Sequence, residues 1–224
     1  MTGCKMPHLC PLLLDAQKYQ FFECAMLETI FKVVAVLAIA LGGGIWITDY
    51  TLDRFGGFGE LQVGEWSAYP AAGTTNADPY SKAGAARKAS LALGAAEALA
   101  FYARRDGNGR ELQRGCTYQL SGFTPPARFW TLYPASSDLR PILPRAGLQP
   151  ALHSREVFYN EDGSVSITVG PEASANNWLA VGGGGNLVLV MTLYDTPAAS
   201  SSGLVDLLMP RLLPVAGQGG ACRG

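Results

Sequence analysis

Charge is sparse in this chain. Asp, Glu, Lys and Arg make up 16% of its 224 residues, the 17 basic and 18 acidic residues nearly cancel, and Lys and Arg nowhere cluster. The electrostatic footprint of a nucleic-acid binder is therefore missing. Histidine is scarcer still: of two residues, only His153 lies beyond position 8. With five cysteines in no CxxC pair and no EF-hand loop, the chain offers no recognisable ligand set, so neither a metal nor another cofactor is expected. A G-x-S-x-G nucleophile elbow is absent, and the glycines at 182 to 185 lead into a strand without a following Lys-Ser/Thr, which speaks for a wide loop and against a phosphate cradle. There is no repeat at the period of a solenoid or propeller.

What the chain does have is one long run without charge. Val33 to Ile47 reads VVAVLAIALGGGIWI, bounded by Lys32 and Asp49. With Ile30 and Phe31 it reaches about 17 or 18 residues, near the lower limit for a helix crossing hydrocarbon about 30 Å thick. A transmembrane anchor over 30–47 is the expectation. Lys5, Lys18 and Lys32 precede the run, whereas Asp49, Asp53 and Glu60 follow with Arg54 alone among them, so the N-terminus is expected in the cytoplasm. Trp46 and Tyr50 suit the far interface. A cleaved signal peptide with Ala38-Ile39-Ala40 as its small-residue site exports the same domain. A buried core helix is the third reading, and Gly42 to Gly44 weigh against it at about 1 kcal/mol each in a soluble helix.

Residues 1–29 read as a cytoplasmic extension. Met26 opens a normal short leader, MLETIFK, and is the expected true start; Cys4, His8 and Cys10 match no zinc spacing. Residues 48–75, rich in Gly and aromatics, read as a linker, and 76–224 as one exported domain of a size that supports a single core. In that domain only Cys116 and Cys222 remain, an even pair that an oxidising compartment would join. In a reducing compartment they would stay as two thiols.

Asp78 as N-cap and Pro79 at the first helical position predict a soluble helix running to Gly94. After it come short strand candidates joined by Gly/Asp turns: flanks around Asp106-Gly107-Asn108-Gly109 as a hairpin, Ala127 to Tyr133, a pair around Asn160 to Gly163, and the nearly continuous apolar Leu187 to Tyr194. Val165, Ile167 and Val169 alternate with Ser166 and Thr168, one face in and one out. The prolines between Asp138 and Pro150 exclude regular structure there. Leu204 to Leu213 reads as a short strand or a helical turn. The fold class is mainly β, a jelly-roll-like β-sandwich preceded by one soluble helix and the N-terminal transmembrane helix.

Five blocks in order, ALAFYARRDGNGRELQRGCTYQLSG, PPARFWTLYP, FYNEDGSVSITVGP, NNWLAV and LVLVMTLYDTP, resemble the bacterial family catalogued as domain of unknown function 1214. The resemblance covers about Asn76 to Cys222 and is to the short, membrane-anchored form, with a cysteine in the CTY strand matched by another near the C-terminus. It implies a jelly-roll-like domain on the outer face of the inner membrane, in the periplasm. Such sequences usually read NWLP and end the last strand in Arg-Leu-Tyr, where this chain has Ala180 and Thr192. Any role of that arginine is absent here.

For a site, the aromatics Phe129, Trp130, Tyr133, Trp178 and Tyr194 are candidates to line a groove, with Arg128, His153 and Asn177 as polar handles; plain sandwich packing is the competing account. The function expected is ligand or envelope-partner binding without catalysis, the membrane being engaged through the N-terminal helix. The alternative is a periplasmic hydrolase of an ester, amide or glycan, which needs His153, Glu156 or Asp195 to converge with a nucleophile or second carboxylate.

Overall fold

The computed structural model describes residues 12–54, with side chains at 28–51, and residues 58–87, 94, 97–197, 207–215 and 222. The chain divides into two units, residues 1–54 and 55–224. The first is built on helix α1 (Leu12–Arg54). Within it Glu28–Thr51, 24 residues, is long and apolar enough to cross a membrane, and none of it is buried. At about 1.5 Å per residue it extends about 36 Å. A core helix would hide its apolar side chains, whereas Val34, Leu37, Ile39, Leu41 and Ile45 are all exposed. A membrane span and a signal sequence both match this description. Lys32 pairs with Glu28 at 2.7 Å near one end, and the rings of Trp46 and Tyr50 stack at 5.9 Å near the other. The helix starts well before Met26, inside the stretch read as a cytoplasmic extension. Cys4, His8 and Cys10 lie outside the described residues.

The second unit is a sandwich of two sheets, as the turn-separated strands predicted. Its strands are β1 (Leu61–Val63), β2 (Trp66–Ala68), β3 (Ala98–Ala103), β4 (Tyr118–Gly122), β5 (Phe129–Ala135), β6 (Leu152–His153), β7 (Val165–Gly170), β8 (Asn177–Ala180), β9 (Val188–Tyr194) and β10 (Arg211–Pro214). Six form one sheet in the order β1-β2-β3-β9-β5-β6, and four the other in the order β10-β4-β7-β8. All described pairings are antiparallel except β7 with β8. The core lies between the sheets, with Trp66, Phe101, Leu132, Met191 and Leu193 from the first meeting Leu120, Ile167, Leu179 and Leu212 from the second. β7 keeps the alternation read from its sequence, Val165, Ile167 and Val169 being fully buried. β9 is apolar almost throughout because it is central in its sheet and buried on both faces.

Three features depart from the expectation. The presumed linker contains the β1–β2 hairpin, and Trp66 from it is fully buried, its indole N–H donating to the Pro210 carbonyl at 2.8 Å. Strands of three residues are too short to display a period. At Asp106 the chain does turn back, with a bridge between Arg105 and Glu111, but the flanks do not continue as one hairpin: β3 joins the first sheet and β4 the second. The third is the parallel β7–β8 pair, connected by only residues 171–176, with Asn176 at φ 65°. Parallel neighbours usually need a dozen or more connecting residues. The tail settles as β10 paired to β4, and Cys116 and Cys222 form a disulfide.

Helix α2 (Pro79–Arg87) begins where Asp78 predicted it would; residues 88–93 lie outside the described part. Asp78 Oδ1 accepts the Tyr80 and Ser81 backbone N–H groups at 2.9 and 3.1 Å, and Oδ2 accepts the Ser81 hydroxyl and the Phe58 N–H. The Ser81 hydroxyl first, then the backbone donors, hold the carboxyl below its ordinary value of 3.8. A folded-state value below the unfolded one stabilises the cap fully above about pH 4, and this support is lost as pH falls through the folded value. Amide exchange of Tyr80 and Ser81, corrected for intrinsic rates, should therefore lose protection as pH falls below the ordinary carboxyl value of 3.8. In Asp78→Ala that acid step should be missing; its persistence would show that another group caps the helix.

Candidate functional site

The face of the six-stranded sheet turned away from the core is where side chains with chemistry gather. Alternation along a strand sends every second residue to this face. Register then sorts them into rows. Tyr102, Val190 and Tyr133 face each other across β3, β9 and β5, and two residues along, Ala100, Thr192 and Thr131 do so, extended by His153 on β6. The third row is Ala98, Tyr194 and Phe129.

The Tyr102 row belongs to a small second core, in which Ala135, Val188 and Val190 are buried under Tyr102, Tyr133 and Leu139. Burial raises the pKa of both phenols; at Tyr133 the neighbouring Tyr102 and Tyr194 add to it, and at Tyr102 the Arg104 guanidinium partly opposes it. Both hydroxyls stay protonated at neutral pH and can donate. Arg104 sits 5.7 Å from the centre of the Tyr102 ring, in cation–π reach.

In the third row the Phe129 ring lies 5.8 Å from that of Tyr194 and 5.5 Å from that of His153. His153 Nε2 meets Glu156 Oε2 at 3.0 Å, and its Nδ1 accepts the Arg155 backbone N–H at 3.3 Å. That pattern requires the tautomer with the proton on Nε2 and occupies both ring nitrogens. Ser154 Oγ accepts the Trp130 N–H at 3.3 Å. Arg128 and Asp195 pair at 3.8 Å at the end of this row, both largely exposed, an interaction worth at most about 1 kcal/mol.

The six residues singled out from the sequence therefore do not share one groove. Tyr133 and His153 lie on this face, with Arg128 at its end. Trp130 turns the other way and is 2% exposed in the core, because it alternates with Phe129 and Thr131 on one strand. Asn177 is buried as a structural clasp: Oδ1 accepts the Phe158 N–H at 2.7 Å, and Nδ2 donates to the Phe158 and Ser166 carbonyls at 2.8 and 3.0 Å. Trp178 stands opposite Thr168 in the four-stranded sheet, its indole N–H donating to the Gly170 carbonyl at 3.1 Å. Sequence reasoning missed Tyr102 and Thr131, and noted Thr192 only as the residue that stands where similar sequences have arginine. Thr192, the one polar residue of β9 before Tyr194, was the available signal. Among the described residues no group of three or more His, Cys, Asp or Glu is arranged to hold a metal.

Residues 97–198 match the family described as "Protein of unknown function (DUF1214)", the family that the five sequence blocks resemble. No curated protein matches the chain. Among solved structures it is similar to the VPA0106 protein from Vibrio parahaemolyticus, with a TM-score of 0.51 and 20% identity over 62% of this chain and 36% of that one. An uncharacterised protein from Burkholderia cenocepacia matches with a TM-score of 0.39 and 15% identity over 70% of this chain and 37% of that one. The chain thus spans little more than a third of the length of either. The first likeness extends to the fold alone.

Proposed function

Starting from a match over residues 97–198 to a family without an assigned activity, we propose that this is a single-pass protein of the bacterial inner membrane. Its β-sandwich domain stands in the periplasm, where it binds a small ligand or an envelope partner on the outer face of the six-stranded sheet. The observation that carries the location is the Cys116–Cys222 disulfide downstream of an apolar helix with no buried residue. Disulfides persist outside the reducing cytoplasm, and Lys32 before the helix with Asp49 after it favours a cytoplasmic N-terminus. Binding is favoured over hydrolysis because both nitrogens of His153, the one histidine of the domain, are engaged by Glu156 and Arg155.

Protease added to intact spheroplasts tests this directly. The domain should be digested from outside while a helix-containing fragment stays in the membrane pellet, and an impermeant maleimide should label Cys116 and Cys222 only after reduction. A protected domain with freely labelled thiols after lysis would place it in the cytoplasm. Release of the intact domain into the soluble fraction would mean that the helix is cleaved as a signal.

A further inference from the structure

The middle row of the outer face is low and polar, whereas the rows beside it carry rings. Ala100, Thr192 and Thr131 form a floor, Tyr102 and Tyr133 rise on one side, and Tyr194 and Phe129 on the other. The flanking rows are four residues apart along the strands, about 13 Å. His153, held by Glu156, closes the β6 end.

Three polar atoms lack partners among the described residues: two hydroxyls in this trough and one carboxylate oxygen of Glu156, beside the His153 that closes its β6 end. Thr192 is 6% exposed, and its neighbours in sequence, Met191 and Leu193, face the core, so its side chain points into the trough. Among the described residues its hydroxyl makes no hydrogen bond, nor does that of Thr131 opposite. Glu156 Oε2 is taken by His153, but Oε1 is buried without a partner. Buried polar groups are nearly always satisfied, and an unpaired one calls for a ligand or water.

The occupant must fit all of these at once. Glu156 Oε1 only accepts, so the occupant has to donate; the phenols of Tyr102 and Tyr133 donate, so it has to accept as well. A hydrocarbon chain would leave Thr192, Thr131 and Glu156 Oε1 unpaired in a dry site, a loss that burial of its surface has to overcome. An anion would meet the Glu156 carboxylate. Hydroxyl groups on a ring whose C–H faces can lie against Tyr194, Phe129 and Tyr133 satisfy donors, acceptors and aromatic walls together. We infer that the trough floored by Ala100, Thr192 and Thr131 binds one ring of an uncharged sugar. This rests on the ligand-binding reading above and narrows it to a chemical class.

The test uses the full-length protein in lipid nanodiscs, free of sugar-headed detergent, titrated with maltotriose, with chitotriose and with cyclohexanol by saturation-transfer NMR. At least one trisaccharide should bind; Thr192→Val, which keeps the shape and removes the hydroxyl, should weaken it tenfold or more, and Ala100→Trp, which fills the floor, should abolish it. Cyclohexanol binding that Ala100→Trp removes and Thr192→Val spares, with neither sugar bound, overturns the sugar and leaves the face as a ligand site. Sugar binding indifferent to both substitutions places the sugar elsewhere and overturns the inference. Binding of none of the three probes overturns the inference and counts against this face as a small-molecule site.

Discussion

Cys222→Ser should lower the unfolding free energy of the β domain by about 3–5 kcal/mol under oxidising conditions. The disulfide closes a loop with a sequence separation of 106, and most of its effect comes from restricting the unfolded chain. Cys222 is the better partner to replace because Cys116 is 2% exposed in the core, where a substitution would add a packing change. The folded consequence should be local. β10 touches only β4 in its sheet, over four residues, aided by the Val215 N–H to the Thr117 carbonyl at 3.0 Å and by Trp66 on Pro210. Amide protection at Leu212 should fall first. Urea unfolding of the parent with and without dithiothreitol, beside the variant, is the measurement: reduction should bring the parent to the variant's midpoint and leave the variant unmoved. A variant within about 1 kcal/mol of the oxidised parent would mean that the bond constrains little, and would weaken the case for export.

Trp130→Ala should cost about 3–5 kcal/mol, the range for emptying an aromatic site in a close-packed core. Tyr133→Ala, three residues along the same strand, should cost less, about 1–2 kcal/mol, since its ring is half-buried over Val190 and Ala135. The comparison decides which face of β5 is core, because shifting the strand by one residue would exchange the two roles. Midpoints in urea with an unchanged slope give both numbers. Should Tyr133→Ala prove the more costly, the register of β5 against β9 is wrong, and with it the rows of the candidate site.

Trp130 also shows where a sequence becomes illegible. In ARFWTLY the polarity of neighbouring residues gives strand and alternation, but Phe129, Trp130 and Tyr133 are all aromatic, so composition does not say which side is wet. Asn177 misled in the opposite sense: a polar residue beside Trp178 looked like a handle for a ligand, and its amide is consumed by the Phe158 backbone. Tyr102 drew no notice, and Thr192 only as the residue that stands where similar sequences have arginine, because each is ordinary in its own strand. They matter only as neighbours across strands that are about 90 residues apart in the chain.

The apolar helix, the Asp78 cap and the strands of alternating or continuous apolar character were determined by local chemistry: hydropathy over one span, a carboxylate beside free N–H groups, and side chains at a period of two; for Cys116 and Cys222 the sequence offered a pair that only an oxidising compartment would join. The tertiary structure decided what local chemistry leaves open. It placed β1 and β2 in the sheet, sent β3 and β4 to different sheets after a turn that reads as a hairpin, laid β8 parallel to β7, and chose the outer face of β5. Each of those outcomes is a hydrogen-bond ladder or a packing contact between distant segments, and a ladder bonds backbone to backbone, so the side chains that define a sequence do not name its partner.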